Sequence, residues 1–369
     1  MKEKRKSIDF VLFLVVLMLL GIGLVMIFSA SMVSDLQEKG TGYHHLIRQA
    51  VWSIIGIIAM LFIANIDYRK LQNKRLISIG IITISVLLVV VLFTPPINGA
   101  RRWIGINSFA LQPSELAKIV LIVYFADVLT RKGQRVKSFA YGVFPTLFVA
   151  GIFSGLILIQ PNMSTAVILF ATVFCMLIVA GAKPGQLMGL ALSGIGVAAT
   201  FAMSADYRRK RVFAFLNPWQ DPLESGYQAI QSLYGLGAGG FFGLGLGQSR
   251  QKWLYIPEAQ NDFIFAIIGE ELGFIGVFFV ISLFAILIWR GFKIALNCKD
   301  KFGTLLATGV TSFIAIQTSI NLLVVSSFMP VTGVTLPLIS YGGSSLVFTL
   351  ASLGILLSIS RYGERNGVE

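Results

Sequence analysis

Charge is scarce in this chain. Of 369 residues only 13% are charged, about half the share of an ordinary soluble domain. That scarcity excludes a water-soluble fold of this length. Cysteine is nearly absent: Cys175 falls in a predicted span and Cys298 in a predicted loop, so neither a disulfide framework nor a thiolate metal cluster can be built. There is no Walker sequence and no zinc or haem spacing. The run Gly235-Leu236-Gly237-Ala238-Gly239-Gly240 fits G-x-G-x-x-G, but it lacks the βαβ setting a dinucleotide site needs. Seven glycines between Gly235 and Gly247 point instead to close backbone contact or a re-entrant turn.

What the chain does have is apolar sequence, 56% of it, in continuous blocks. Most blocks are close to the roughly 20 residues that cross a hydrocarbon core as a helix. Continuity, without alternation, excludes membrane β-strands. The expected fold is therefore all-α and polytopic, a single integral-membrane domain over residues 1–369. About ten transmembrane helices are expected, near 9–31, 47–65, 76–94, 112–130, 140–160, 163–181, 185–204, 263–289, 303–326 and 343–360. The first block follows Lys2, Lys4, Arg5 and Lys6. It is too long for a signal-peptide core and has no small-residue cleavage site, so it reads as a retained span.

The net charge of +13 does not indicate nucleic acid, because the basic residues sit between spans. With both termini in the cytoplasm, nineteen of the 30 basic residues fall in inner segments, as positive-inside bias requires. Two outer loops break that bias. Arg101 and Arg102 lie in the loop at 95–111. Arg208, Arg209, Lys210, Arg211, Arg250 and Lys252 lie in the large extracytoplasmic loop at 205–262, between helices seven and eight. Headgroup contact is the plain explanation, and exemption of a long loop is another. The large loop is too aromatic for a linker, and loops of that length are commonly functional.

Ionisable residues inside spans are expensive. Glu115 and Lys118 are three apart near the outer end of the fourth span, so they share a helix face. They can form a structural pair, a wall of a polar cavity, or both. Asp262 precedes the apolar run Phe263–Ile268. It reads either as an N-cap or as a carboxylate at the outer mouth of the bundle, able to act as a general base. Glu258 is the second such carboxylate; Glu270 and Glu271 read as structural or cavity-lining.

Four segments carry a resemblance. Pro257-Glu258-Ala259-Gln260-Asn261-Asp262-Phe263, continuing to Gly273, is one. Asn98-Gly99-Ala100-Arg101-Arg102-Trp103-Ile104 with Gln112-Pro113-Ser114-Glu115-Leu116-Ala117-Lys118 is another. Tyr227–Ser232 and Pro330–Ser345, the latter including Ser344, complete the set. Together, in order along the chain, they resemble the SEDS family (shape, elongation, division, sporulation), on its FtsW/SpoVE side. The resemblance implies a peptidoglycan glycosyltransferase that polymerises lipid II into β-1,4 glycan with inversion, releasing undecaprenyl diphosphate. It implies Asp262 as the general base. It also implies a class B penicillin-binding protein transpeptidase as partner, within the division or sporulation machinery of the bacterial cytoplasmic membrane.

Given that chemistry, the outer arginines acquire a task. Arg101, Arg102, Arg208, Arg211 and Arg250 are candidates for the diphosphate, with Arg101 and Arg211 favoured; Trp103 is a candidate for sugar or lipid contact. A divalent cation, magnesium or manganese, could share the charge, though no cage for one is visible. Two departures from the family pattern stand out. Gln260-Asn261 replace a common His-Thr, and Gln160-Pro161-Asn162-Met163-Ser164-Thr165 lacks the usual Asp-Leu-Gly, in a region expected to be structural. The competing function is a lipid II flippase, which would continue its polar groups to the inner leaflet through broken helices.

Overall fold

The computed structural model describes residues 7–96, 100–105, 110–203, 209, 213–224, 226–253 and 255–363. The described residues include the helices α1 (Phe10–Lys39), α2 (His44–Ala64), α3 (Lys74–Val90), α4 (Pro113–Lys132), α5 (Phe144–Ile159), α6 (Met163–Ala180), α7 (Pro184–Met203), α8 (Tyr227–Ala238), α9 (Ile264–Asn297), α10 (Lys301–Val325) and α11 (Gly343–Tyr362). Among the described residues no strand forms; Ile104 and Leu111 make one isolated antiparallel bridge.

All except α8 correspond to expected spans. Among the described residues eight segments are long and apolar enough to cross a membrane. The two that complete the set are α4 and α7. In α4, apolarity is lowered by Glu115, Lys118 and Asp127, all buried. The helix tolerates them because it is enclosed by α3, α6, α10 and α11, so its charges face protein and not lipid. Helices α1 and α9 run well past the predicted ends, to Lys39 and Asn297.

Local chemistry sets the helix ends. Asp9 caps α1 by accepting from the Leu12 N–H at 2.9 Å, and Asp300 caps α10 through the Gly303 N–H at 2.8 Å. The α1 end is also tied across the bundle, where Asp9 pairs with Arg290, Nε to Oδ2 at 2.9 Å. Small residues bring helices close. A Cβ on Gly354 of α11 would lie 2.6 Å from the Met60 carbonyl oxygen of α2.

The long α9 is broken. Gly273 has φ 64 and ψ −162, a conformation essentially confined to glycine. The break frees backbone groups, and the glycine-rich segment after α8 takes them up. Leu244 N–H donates to the Glu270 carbonyl at 2.9 Å, Gly245 N–H to the Glu271 carbonyl at 3.0 Å, and Phe274 N–H to the Gly240 carbonyl at 2.9 Å. This is the close backbone contact the seven glycines suggested. A Cβ on Gly239 would overlap the Gly269 carbonyl oxygen, and one on Gly243 would overlap the Glu271 carbonyl oxygen. Only backbone fits there.

Candidate active site

At the end of the bundle where α4, α6, α9 and α11 begin, a polar cavity of about 670 Å³ opens. Its walls come from segments distant in sequence: α2, the 100–112 loop, the starts of α4 and α6, Gln228 of α8, the turn before α9, Gln317 of α10 and the 333–345 segment.

Asp262 stands in that cavity. The N-cap of α9 is Phe263, and no side chain caps the helix, so the capping role open to Asp262 from sequence does not hold. Its carboxylate faces Gly333, where a built Cβ would lie 3.6 Å from Oδ2. Gly333 has φ 69, which favours glycine. Burial pushes the Asp262 carboxyl up to about 6; its own backbone N–H opposes the shift and the nearby Glu258 charge adds to it. A carboxyl titrating there is ionised at neutral pH yet far more basic than an exposed one, which suits a general base.

Glu115 and Lys118 form the pair their spacing predicts, at 3.0 Å, and both line the cavity. The lysine also donates to Gln317 Oε1 at 2.8 Å and lies 4.9 Å from the centre of the Phe313 ring. The glutamate accepts from the Ser345 hydroxyl at 2.8 Å. A buried pair with its remaining valences satisfied this way is fixed in place. It places an ammonium in the cavity lining beside the carboxylate that pairs with it.

The opposite wall comes from α2 and the loop before α11. His45, Arg48 and Trp52 line it. The Tyr341 ring meets His45 edge-on, centroids 4.6 Å apart. Gln49, behind them, clamps the loop by donating to the Ser340 carbonyl at 3.2 Å and accepting from the Gly342 N–H at 3.3 Å. Tyr341 N–H reaches the Gln260 carbonyl at 2.9 Å, so the loop is fastened to the turn that carries Asp262.

Not every candidate reaches this site. Arg102, Trp103 and Glu258 line the cavity beside Asp262, Glu115 and Lys118. Arg102 is anchored by donating to the Gln160 carbonyl at 3.3 Å and to the Pro161 carbonyl. Arg101, favoured from sequence, turns away and donates to the Leu92 carbonyl at 2.7 Å. Arg250 is exposed and does not border the cavity. Ser344 is buried behind the wall, accepting from the Gln112 N–H at 3.4 Å, and its neighbour Ser345 takes the lining place. Arg208 and Arg211 lie outside the described residues. The 160–165 segment, expected to be structural, contributes Asn162, Ser164 and Thr165 to the lining.

Against this geometry, the family model "Cell cycle protein", FtsW/RodA/SpoVE, matches residues 10–365. The chain belongs to the FtsW/RodA/SpoVE family. It is 45% identical over 368 residues to stage V sporulation protein E of Bacillus subtilis (strain 168), covering 98% of this chain and 99% of that protein. It is 42% identical over 356 residues to the probable peptidoglycan glycosyltransferase FtsW of Trichlorobacter lovleyi, covering 95% and 93%. Among solved structures, a chain from work on the structural coordination of polymerization and crosslinking by a peptidoglycan synthase complex superposes with a TM-score of 0.77 at 31% identity, covering 96% and 99%. RodA of Thermus thermophilus superposes with a TM-score of 0.71 at 28% identity, covering 97% and 99%.

In this FtsW/RodA/SpoVE chain, Glu270 and Glu271 prove structural. They receive the loop at 249–252: Ser249 N–H donates to Glu271 at 3.2 Å, Arg250 N–H to Glu270 at 3.0 Å, and the Lys252 ammonium lies 3.7 Å from Glu271. Ser29 of α1 closes the set with a 2.6 Å bond to Glu271. Sequence reasoning missed His45, Arg48, Tyr341, Gln317 and Asn162 as lining residues. The one available signal was the cluster Tyr43, His44, His45, Arg48 and Gln49 at the start of an otherwise apolar α2.

Proposed function

We propose that this protein is a peptidoglycan glycosyltransferase that polymerises lipid II, with Asp262 as general base. The observation carrying the reading is a carboxylate tuned to about 6 in one cavity with Arg48, Arg102 and Lys118. A hydroxyl must lose a proton as it attacks, and the leaving diphosphate must be met by cations. In the proposed step the acceptor sugar's 4-hydroxyl gives its proton to Asp262 as its oxygen bonds to the donor's anomeric carbon. The bond from that carbon to the diphosphate oxygen breaks with inversion, and the electron pair leaves with undecaprenyl diphosphate. Fixed cations stabilise the charge on that oxygen.

This reading puts the cavity on the extracytoplasmic face of the cytoplasmic membrane and both termini inside, as the charge pattern along the loops supports. A class B penicillin-binding protein is the proposed partner, in division or sporulation. Among the described residues no group of three or more His, Cys, Asp or Glu could hold a metal ion. The charge chemistry here is assigned to Arg48, Arg102 and Lys118, and no step is routed through a metal.

A flippase would use a broken helix at its substrate path. The break in α9 does not serve, because its freed backbone groups are bonded to the glycine-rich loop and Gly273 does not border the cavity. The test uses purified protein with its transpeptidase partner in liposomes and labelled lipid II. Glycan chains from wild type and none from Asp262→Asn support the proposal. Lipid movement without polymer overturns it.

A further inference from the structure

The cavity wall made by α2 carries a side-chain pair that the glycosyl-transfer chemistry above does not use. Asp35, near the end of α1, has a fully buried side chain. It accepts from the Ser31 hydroxyl at 3.3 Å, from the His45 backbone N–H at 2.9 Å and from His45 Nδ1 at 2.5 Å. The imidazole itself is 17% exposed and lines the cavity. With Nδ1 held by Asp35, the ring has Nε2 left to offer. Arg48 is three residues on, so it shares the His45 face of the helix. It too lines the cavity, and its Nε is buried with no hydrogen-bond partner.

We propose that His45, oriented by Asp35, and Arg48 form a two-point clamp for an oxyanion of the lipid-linked substrate, phosphate or carboxylate. The proposal rests on the glycosyltransferase reading and deepens it. When the ring carries its second proton, Nε2–H is a charge-assisted donor and the buried Asp35 carboxylate balances the charge. Arg48 adds a permanent cation with donors in a planar fork. The other titratable groups near the imidazole are His44 on the same helix, its ring 5.7 Å away, and Tyr341 of the same wall, its ring 4.6 Å away; Glu258 also lines the cavity. Burial raises the Tyr341 hydroxyl, Arg48 lowers it, and Asp35 and Glu258 raise it.

A proton relay from Asp262 through His45 is not needed. An acid titrating near 6 loses its proton to water far faster than the roughly 10 turnovers per second of a typical enzyme. Binding is therefore the role the geometry supports.

The test measures lipid II polymerisation by the full complex in liposomes. His45→Ala should raise KM for lipid II by about tenfold to a hundredfold, the range for a hydrogen bond to a charged group, with kcat within about threefold. His45→Arg should restore KM, which a variant that merely misfolds would not do. Asp35→Asn, a change at a positioning residue, should raise KM in the same direction.

Undecaprenyl diphosphate as a competitive inhibitor separates the sources. Weaker inhibition of His45→Ala identifies the diphosphate. Unchanged inhibition with a raised KM identifies a stem-peptide carboxylate, and either result supports the clamp. An unchanged KM in His45→Ala, with wild type polymerising normally, overturns the clamp and leaves the glycosyltransferase reading standing. Absence of polymer from wild type overturns that reading instead.

Discussion

The Asn321 side chain donates to the backbone carbonyl of Asp262 at 2.8 Å, and its amide nitrogen also donates to the Val334 carbonyl at 2.6 Å. One fully buried amide on α10 therefore fixes both the turn that carries the carboxylate and the loop that faces it. Removing it leaves two carbonyls unpaired, at about 1–3 kcal/mol each. Asn321→Ala should lower the melting temperature and reduce kcat at least tenfold, because the carboxylate is no longer held. Melting curves and polymer yield on the same preparation check this. An active variant melting like wild type would refute the anchoring role.

Asp262 gives a pH signature with two parts. Its folded value near 6 exceeds the ordinary 3.8, so activity should fall about tenfold per pH unit below 6 as the base is protonated. For stability the sign is opposite to that of a salt-bridged carboxylate. The folded state holds this proton more tightly than the unfolded chain, so its contribution is present below about pH 4 and is lost as pH rises through 6. Asp262→Asn should therefore melt higher than wild type at pH 7.5, and the advantage should shrink at pH 5. Polymerisation by Asp262→Asn should drop by a factor of about a hundred or more.

The Glu115–Lys118 pair separates folding from chemistry. Lys118→Met strands a buried glutamate and should destabilise by about 3–5 kcal/mol. Glu115→Leu with Lys118→Met removes both charges and should regain much of that stability while remaining inactive. Denaturation of the purified variants beside a polymerisation assay reads both. Full activity in the double variant would remove Lys118 from the site.

Gly273 and Gly237 make a matched comparison within one contact. A Cβ on Gly273 would overlap the Gly243 backbone nitrogen in a conformation closed to other residues, whereas one on Gly237 meets nothing within 4 Å. Gly273→Ala should abolish stable expression or lower the melting point sharply. Gly237→Ala, inside α8, should be neutral or mildly stabilising. Equal tolerance at the two positions would contradict the close backbone contact at Gly273.

Much of the site was legible because Asp262, Glu115, Lys118, Arg102, Trp103 and Glu258 sit in motifs where polar residues interrupt apolar runs. The interruptions are costly in a membrane protein, so they mark function. The errors came from neighbours. Arg101 and Arg102 are adjacent, as are Ser344 and Ser345, and chemistry alone does not say which of two successive side chains faces a cavity. Asp262 as a helix cap was a sound local reading, and the turn that seats Phe263 at that position overrode it.

The apolar runs, their length and the bias of charge between them determined a polytopic helical bundle, because the bilayer leaves the backbone few other ways to satisfy its hydrogen bonds. Only the tertiary structure decided which polar groups share a space. His45 and Asp262 are far apart in the chain, and Asp35, Gln317 and Asn162 lie on or beside three further helices. They meet because buried polar groups in a bundle must find partners across helices, and that choice is made by helix contacts that no local pattern records.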